Sequence, residues 1–205
     1  MREIALHLLD LAENSVAAQA NQINIQVLED LEADRLQLRI QDNGKGMSPQ
    51  LVQQVSDPFV TSRTTRKVGL GIPLLKAAAQ ACNGDLRIQS QVGEGALIEV
   101  DFQHSHIDRM PLGDLPETLL SLIVAHPEVN WLLDYRVIRS DQKTPAVFSF
   151  DDKPIKEILD GVSLCEPEVL NYLRSVLKEG IQNVQAFTAD HHWPVKANRL
   201  HNLPK

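Results

Sequence analysis

Leu36-Gln-Leu38-Arg-Ile40-Gln-Asp42-Asn-Gly44-Lys-Gly46-Met47 is the stretch on which the reading of this chain turns. Its first six residues alternate apolar and polar, the period of a strand with one buried face. Its last six place two glycines directly after that strand, where a sharp turn can bring bare N–H groups close to a ligand. Upstream, Ile23-Asn-Ile25-Gln-Val27 is a second alternating strand. Further upstream, Ile4, Leu8, Leu11 and Ser15 with Leu9, Ala12 and Val16 trace a helical stripe over residues 2–19. Downstream, Val68-Gly69-Leu70-Gly71-Ile72 is a second glycine cluster, directly before a helix predicted over 71–83 with Gly84 as its left-handed stop. Two more alternating strands follow, Leu86–Gln89 and Ala96–Phe102, joined by Val92-Gly-Glu-Gly95. Such alternation leaves one polar face, so the helices are expected on the other face only. The predicted architecture is a two-layer α/β sandwich.

Composition narrows the function classes. Against 27 Asp+Glu the 205 residues carry 20 Lys+Arg, a net charge of −7 that supplies no broad basic face for nucleic acid. No apolar run approaches the roughly 18 residues of a membrane helix, and no basic-then-apolar leader opens the sequence. Cys82 and Cys165 form neither a metal-ligand nor a CxxC spacing, a usage that suits a reduced, cytoplasmic interior. The aperiodic stretch from His104 to Asp114 reads as a boundary. It divides a domain over 1–104 from a small α+β domain over 105–187, expected to bind a partner, and a tail over 188–205. In the second part, Asp114 is the expected N-cap of a helix to about His126, with Pro116 in its first turn. Trp131–Ile138 and Ala146–Phe150 are expected to pair as strands. A helix containing Glu157–Leu159 follows Asp151 and Asp152, and another covers Glu166–Lys178.

Three features carry chemistry. A helix that begins at Gly71 points its positive end at whatever binds there, which favours phosphate. Asp10 and Asn14 are four apart and share a helix face, so a carboxylate and an amide project together, able to hold a hard cation or orient a water. The glycine clusters fit neither a P-loop nor a dinucleotide fingerprint. His7 has apolar neighbours and reads as a core histidine. His104/His106 and His191/His192 lack Cys or carboxylate partners at ligand spacing. Trp131, with Leu132, Leu133 and Tyr135, reads as core.

Taken in order, Asp10…Asn14, then Asp42-Asn-Gly-Lys-Gly-Met47, then Asp57-Pro-Phe59…Gly69-Leu-Gly71 resemble the boxes of the GHKL ATP-binding superfamily, over about residues 1–103. Gyrase, the heat-shock chaperone ATPase, histidine kinases and mismatch-repair ATPases belong to it. Asp57-Pro-Phe59-Val-Thr61-Ser, and Gly84-Asp-Leu-Arg-Ile-Gln-Ser with Gly93-Glu-Gly95, are similar to the histidine-kinase branch. Leu11-Ala-Glu-Asn14-Ser, followed by Ala20-Asn-Gln-Ile-Asn-Ile25, is closer to the mismatch-repair branch. The resemblance implies the Bergerat fold, a mixed sheet with helices on one face, and it implies ATP and Mg²⁺ as cofactors. Asn14 would ligate Mg²⁺ and Asp42 would accept a hydrogen bond from the adenine amino group. Gly44 and Gly46 would shape the adenine pocket, with Met47 beside them. Gly69, Leu70 and Gly71 would offer backbone to the phosphates. Residues 47–68 would form a lid carrying Thr61, Arg63, Arg66 and Lys67, and Asp10 would stand as general base.

The chain departs from the pattern at three positions. Asp10 stands where the superfamily usually has Glu, one methylene longer. Ala17 replaces a Lys common in histidine kinases, and Ala96 replaces a threonine after the Gly93-Glu-Gly95 turn. Binding survives such changes more easily than fast hydrolysis does. Thirteen residues precede Asn14, so the phospho-accepting histidine and its dimerising helices are expected on another protein. The expectation is therefore a signalling protein like a histidine-kinase catalytic domain, phosphorylating a partner in trans, with homodimerisation open. The alternative is an ATP-dependent conformational switch or slow ATPase that regulates a partner complex. The C-terminal half resembles extensions on ATP-binding proteins that accompany iron-only hydrogenase components, which gives that alternative a redox setting. A DNA-handling ATPase ranks below both for want of a basic surface.

Overall fold

The computed structural model describes residues 3–56 and 71–189. The chain runs α1 (Ile4–Ala17), β1 (Gln22–Asp30), β2 (Arg35–Asp42), α2 (Pro49–Ser56), α3 (Gly71–Ala81), β3 (Asp85–Gln91) and β4 (Gly95–Gln103). It continues with α4 (Leu115–Ala125), β5 (Asn130–Ile138), β6 (Ala146–Asp151), α5 (Lys153–Leu159) and α6 (Pro167–Ala189). No described helix is long and apolar enough to cross a membrane.

The strands form one mixed sheet of order β3-β4-β2-β1-β5-β6. Neighbours are antiparallel except β1 and β5, which run parallel with Gln22 opposite Asn130. Period-two alternation sorts the two faces, as the sequence predicts. Ile23, Ile25, Val27, Leu36, Leu38, Ile40, Val100, Phe102, Trp131, Leu133 and Tyr135 are buried in one apolar cluster with α1, α3, α4 and α6. On the opposite face, charges pair across strands, Arg39 with Glu99 at 2.6 Å and Arg35 with Asp101 at 3.0 Å.

Strands β5 and β6 pair with each other as expected. They do not build a sheet of their own: β5 lies on β1, so residues on both sides of the 104/105 division share one sheet and one buried cluster. The aperiodic stretch after β4 begins the long crossover that a parallel neighbour requires, and α4 completes it. That crossover also reaches α1. The carbonyls of Pro111 and Leu112 accept the N–H groups of Ile4 (3.0 Å) and Ala5 (2.8 Å), two donors that a helix start leaves without internal partners. At the other end of α1, Glu13 lies 3.1 Å from His126, the residue that closes α4.

Two local expectations are corrected. The left-handed residue after α3 is Asn83 (φ 56°), not Gly84. Gly84 is glycine for a steric reason, since a Cβ there would fall 1.7 Å from the Asp101 carbonyl oxygen. The last helix extends past Lys178 to Ala189, and Gly180 within it leaves room for the Phe148 ring, whose Cε2 would lie 2.1 Å from a Cβ.

At the end of the sheet where β1 finishes, Glu29 is buried. It accepts the Tyr135 hydroxyl, and His104 Nε2 stands 2.6 Å from its Oε2. Burial pushes its carboxyl up, but hydrogen bonds from His104 and Tyr135 and the nearby positive charge outweigh that and hold it below its ordinary range. The same burial and the Glu29 charge push the Tyr135 phenol up. His104 thus hydrogen-bonds a buried carboxylate within the fold.

Candidate functional site

Asp42 is the last residue of β2, and the strand's alternation carries it to the helix-covered face after Leu36, Leu38 and Ile40. The residue is only 8% exposed. Oδ1 accepts the Gly44 N–H at 2.9 Å and, more weakly, the Ala96 N–H at 3.3 Å. Oδ2 accepts the Ser15 hydroxyl at 2.7 Å. Ser15 also lies 3.4 Å from the Leu11 carbonyl, but it has one proton and the shorter contact is to Asp42. A groove of about 360 Å³ lined by Gln41, Gln89, Ser90, Gly95 and Ala96 reaches Asp42 from the β3–β4 hairpin.

The loop after Asp42 is fastened on both sides. Lys45 N–H donates to the Ala18 carbonyl (2.9 Å), Gly93 N–H to the Lys45 carbonyl (2.8 Å) and Met47 N–H to the Ser90 hydroxyl (2.8 Å). The glycines answer to this packing. A Cβ at Gly44 would sit 2.7 Å from the Ala18 oxygen, and one at Gly46 (φ +64°) would sit 1.9 Å from the Gln91 oxygen. They therefore act on the loop's shape by letting it close against α1 and the hairpin.

Helix α1 links this loop to the start of α3. Ser15 and Ala18 meet the loop, while on the neighbouring flank Asp10 is half-buried and Asn14 is exposed. A Cβ built on Gly71 would stand 3.2 Å from Asp10 Oδ2, so the first residue of α3 abuts that carboxylate. The positive end of α3 favours an anion there. His7 is buried as expected, although its Nδ1 has no hydrogen-bond partner. Burial pushes its imidazole down, with the Asp10 carboxylate acting in the other direction. Among the described residues no group of three or more His, Cys, Asp or Glu could cage a metal. Asn14 with Asp10 nearby suits Mg²⁺, which is usually held by one or two protein groups and completed by phosphates.

The structure therefore sets Asp42, Gly44 and Gly71 against the helix that carries Asp10 and Asn14, and Gly46 and Met47 against the β3–β4 hairpin. Thr61, Arg63, Arg66, Lys67, Gly69 and Leu70 lie outside the described residues. Sequence reasoning missed Ser15 as a site residue. Its signal was a hydroxyl standing at an apolar-stripe position, where a polar side chain needs a buried partner.

Comparison with known proteins places the chain in a family. The family model of the histidine kinase-, DNA gyrase B- and HSP90-like ATPase matches residues 2–106. An NtrY-like protein of Rickettsia conorii, named as a sensor histidine kinase, is 28% identical over 108 residues, 53% of this chain and 18% of that protein. The cell-division control histidine kinase PdhS of Brucella ovis is 29% identical over 120 residues, 52% of this chain and 11% of that protein. The chain thus spans less than a fifth of the length of these relatives. The MutL ATPase domain of Aquifex aeolicus, complexed with ADP, overlaps 87% of this chain and 98% of that one at 15% identity and a TM-score of 0.43. With a buried carboxylate at the end of β2, glycines at both junctions and a family match over residues 2–106, the chain belongs to the histidine kinase-, DNA gyrase B- and HSP90-like ATPases and carries an ATP-binding domain of the histidine-kinase type.

Proposed function

We propose that this chain binds Mg²⁺–ATP among α1, the 42–47 loop and the start of α3, and transfers the γ-phosphoryl group to a partner protein in trans. The observation that carries the reading is Asp42: a buried carboxylate held by Gly44, Ala96 and Ser15, on the sheet face covered by the helix that presents exposed Asn14. Its acceptor oxygens suit the adenine amino group, and Asn14 would hold the Mg²⁺, which neutralises phosphate charge when bound. Asp10 favours transfer over hydrolysis. It is shorter than the usual Glu and stands against Gly71, so it is poorly placed to activate a water; misplacement of about 1 Å can cost of order a hundredfold. In transfer the acceptor side chain attacks the γ-phosphorus, the bond to the β–γ bridging oxygen breaks, ADP leaves and the acceptor's proton passes to solvent.

A second reading, an ATP-dependent switch, rests on the grip of the crossover on α1 through Pro111, Leu112 and His126. Nucleotide contacts on α1 and partner contacts beyond residue 104 would then bias the same helix. Incubating the purified chain with γ-labelled ATP and a native lysate separates the outcomes. One labelled acceptor protein is the expected result. Released labelled phosphate without an acceptor would make it an ATPase, and binding without either product would make it a switch.

A further inference from the structure

We propose that Ser15 is a positioning residue that sets base selectivity, by fixing the Asp42 carboxylate so that one acceptor position on Oδ2 is offered to an exocyclic amino group. The inference rests on the reading of this site as an adenine-nucleotide site. An ionised carboxylate has about four acceptor positions on its two oxygens. Two donors, Gly44 N–H and Ala96 N–H, fall on Oδ1, and both are backbone groups fixed by the loop and by β4. Oδ2 takes Ser15, which leaves that oxygen one further position. Among the described residues Ser15 is thus the side-chain donor that decides how the carboxylate is rotated.

Its place on α1 adds to the effect. Ser15 is 4% exposed, so water cannot easily replace its hydrogen bond, and it follows Asn14 directly in the helix. The end of the site that reads the base and the end that meets the metal are then set by consecutive residues of one rigid element. Removing the hydroxyl leaves Oδ2 without its internal donor and the carboxylate free to turn. A ligand with an amino group loses a fixed acceptor, whereas a ligand lacking that group loses nothing at this point.

The test is calorimetric titration of the full chain with Mg²⁺–ATP and with Mg²⁺–purine riboside triphosphate, which carries hydrogen in place of the 6-amino group. Wild type should prefer ATP. Ser15→Ala should weaken ATP about fivefold, the worth of one ordinary hydrogen bond, and leave the purine analogue unchanged, so that the preference shrinks by the same factor. Ser15→Cys keeps the side chain's shape and donates weakly, so it should shift the preference in the same direction and serves if the alanine variant does not fold. Equal losses for both ligands, or an unchanged preference, would overturn the proposal. Wild type that binds neither ligand would instead remove the nucleotide reading on which it stands.

Discussion

Glu29 and Asp42 lie toward opposite ends of the same two paired strands, on the same helix-covered face, and each is 8% exposed. Burial does not tell them apart; their partners do. Glu29 is met by Tyr135 from β5 and His104 from the crossover, side chains far apart in sequence that the fold must bring together. It is a staple. Asp42 is met by two backbone N–H groups and one serine, beside exposed Asn14. Such partners orient a carboxylate and leave capacity for a ligand. Two equally buried acids thus separate into one that holds the fold and one that, in the proposed function, serves a site.

Substitution should break the symmetry in opposite directions. Asp42→Asn turns an acceptor partly into a donor facing the adenine amino group, and a hydrogen bond to a charged group is worth about ten- to a hundredfold in affinity. Calorimetry should register that loss for ATP, while the ligand-free melting temperature stays close to wild type. Should Asp42→Asn bind ATP like wild type, Asp42 is a second staple and the contrast fails. Glu29→Gln should do the reverse: about 2 kcal/mol lost in denaturant unfolding, with ATP affinity within twofold of wild type.

Acid sharpens the difference. The Glu29 carboxyl lies below its ordinary value of 4.5 in the folded chain, so its contribution is fully present above that pH. It fades as pH falls from 4.5 through the lower folded value, because the unfolded state then binds a proton that the folded state does not yet hold. Unfolding followed between pH 3 and 6 should show this slope in wild type and a flatter one in Glu29→Gln. Asp34, also lowered through Ser105 and Gln103 despite burial, leaves some slope in both. The smallest effect belongs to Glu13→Gln. Its pair with His126 is half exposed on the Glu13 side, and such pairs are worth about 0.5 kcal/mol or less.

Much of this was legible in the sequence because it is local. The stripe of α1, the alternation of β1, β2 and β4, and the Asp114 cap, whose side chain accepts the Glu117 N–H at 3.1 Å, each depend on a few neighbouring residues. Asp42 was placed by its strand and Asn14 by its helix. What stayed hidden depends on distant partners. Period-two patterning in β5 states which residues face inward, but not that the strand lies on β1 rather than beside β6 alone. Ser15 counted toward a helical stripe because spacing is blind to what a buried hydroxyl touches. Gly84 suggested a helix stop by type, whereas the Asp101 carbonyl across the sheet is what requires it.

The parallel seat of β5 on β1 has a consequence for the chain's birth. Gln22 waits for Asn130, 108 positions later, before its outer side is covered. A polypeptide under synthesis therefore carries an unpaired row of β1 N–H and C=O groups, flanked by apolar Ile23, Ile25 and Val27, until β5 has been made. Rows of that kind recruit other chains. A fragment ended near residue 106 would keep that edge permanently and is expected to aggregate. Strand β5 thus guards the chain against its own neighbours, a later element protecting an earlier one.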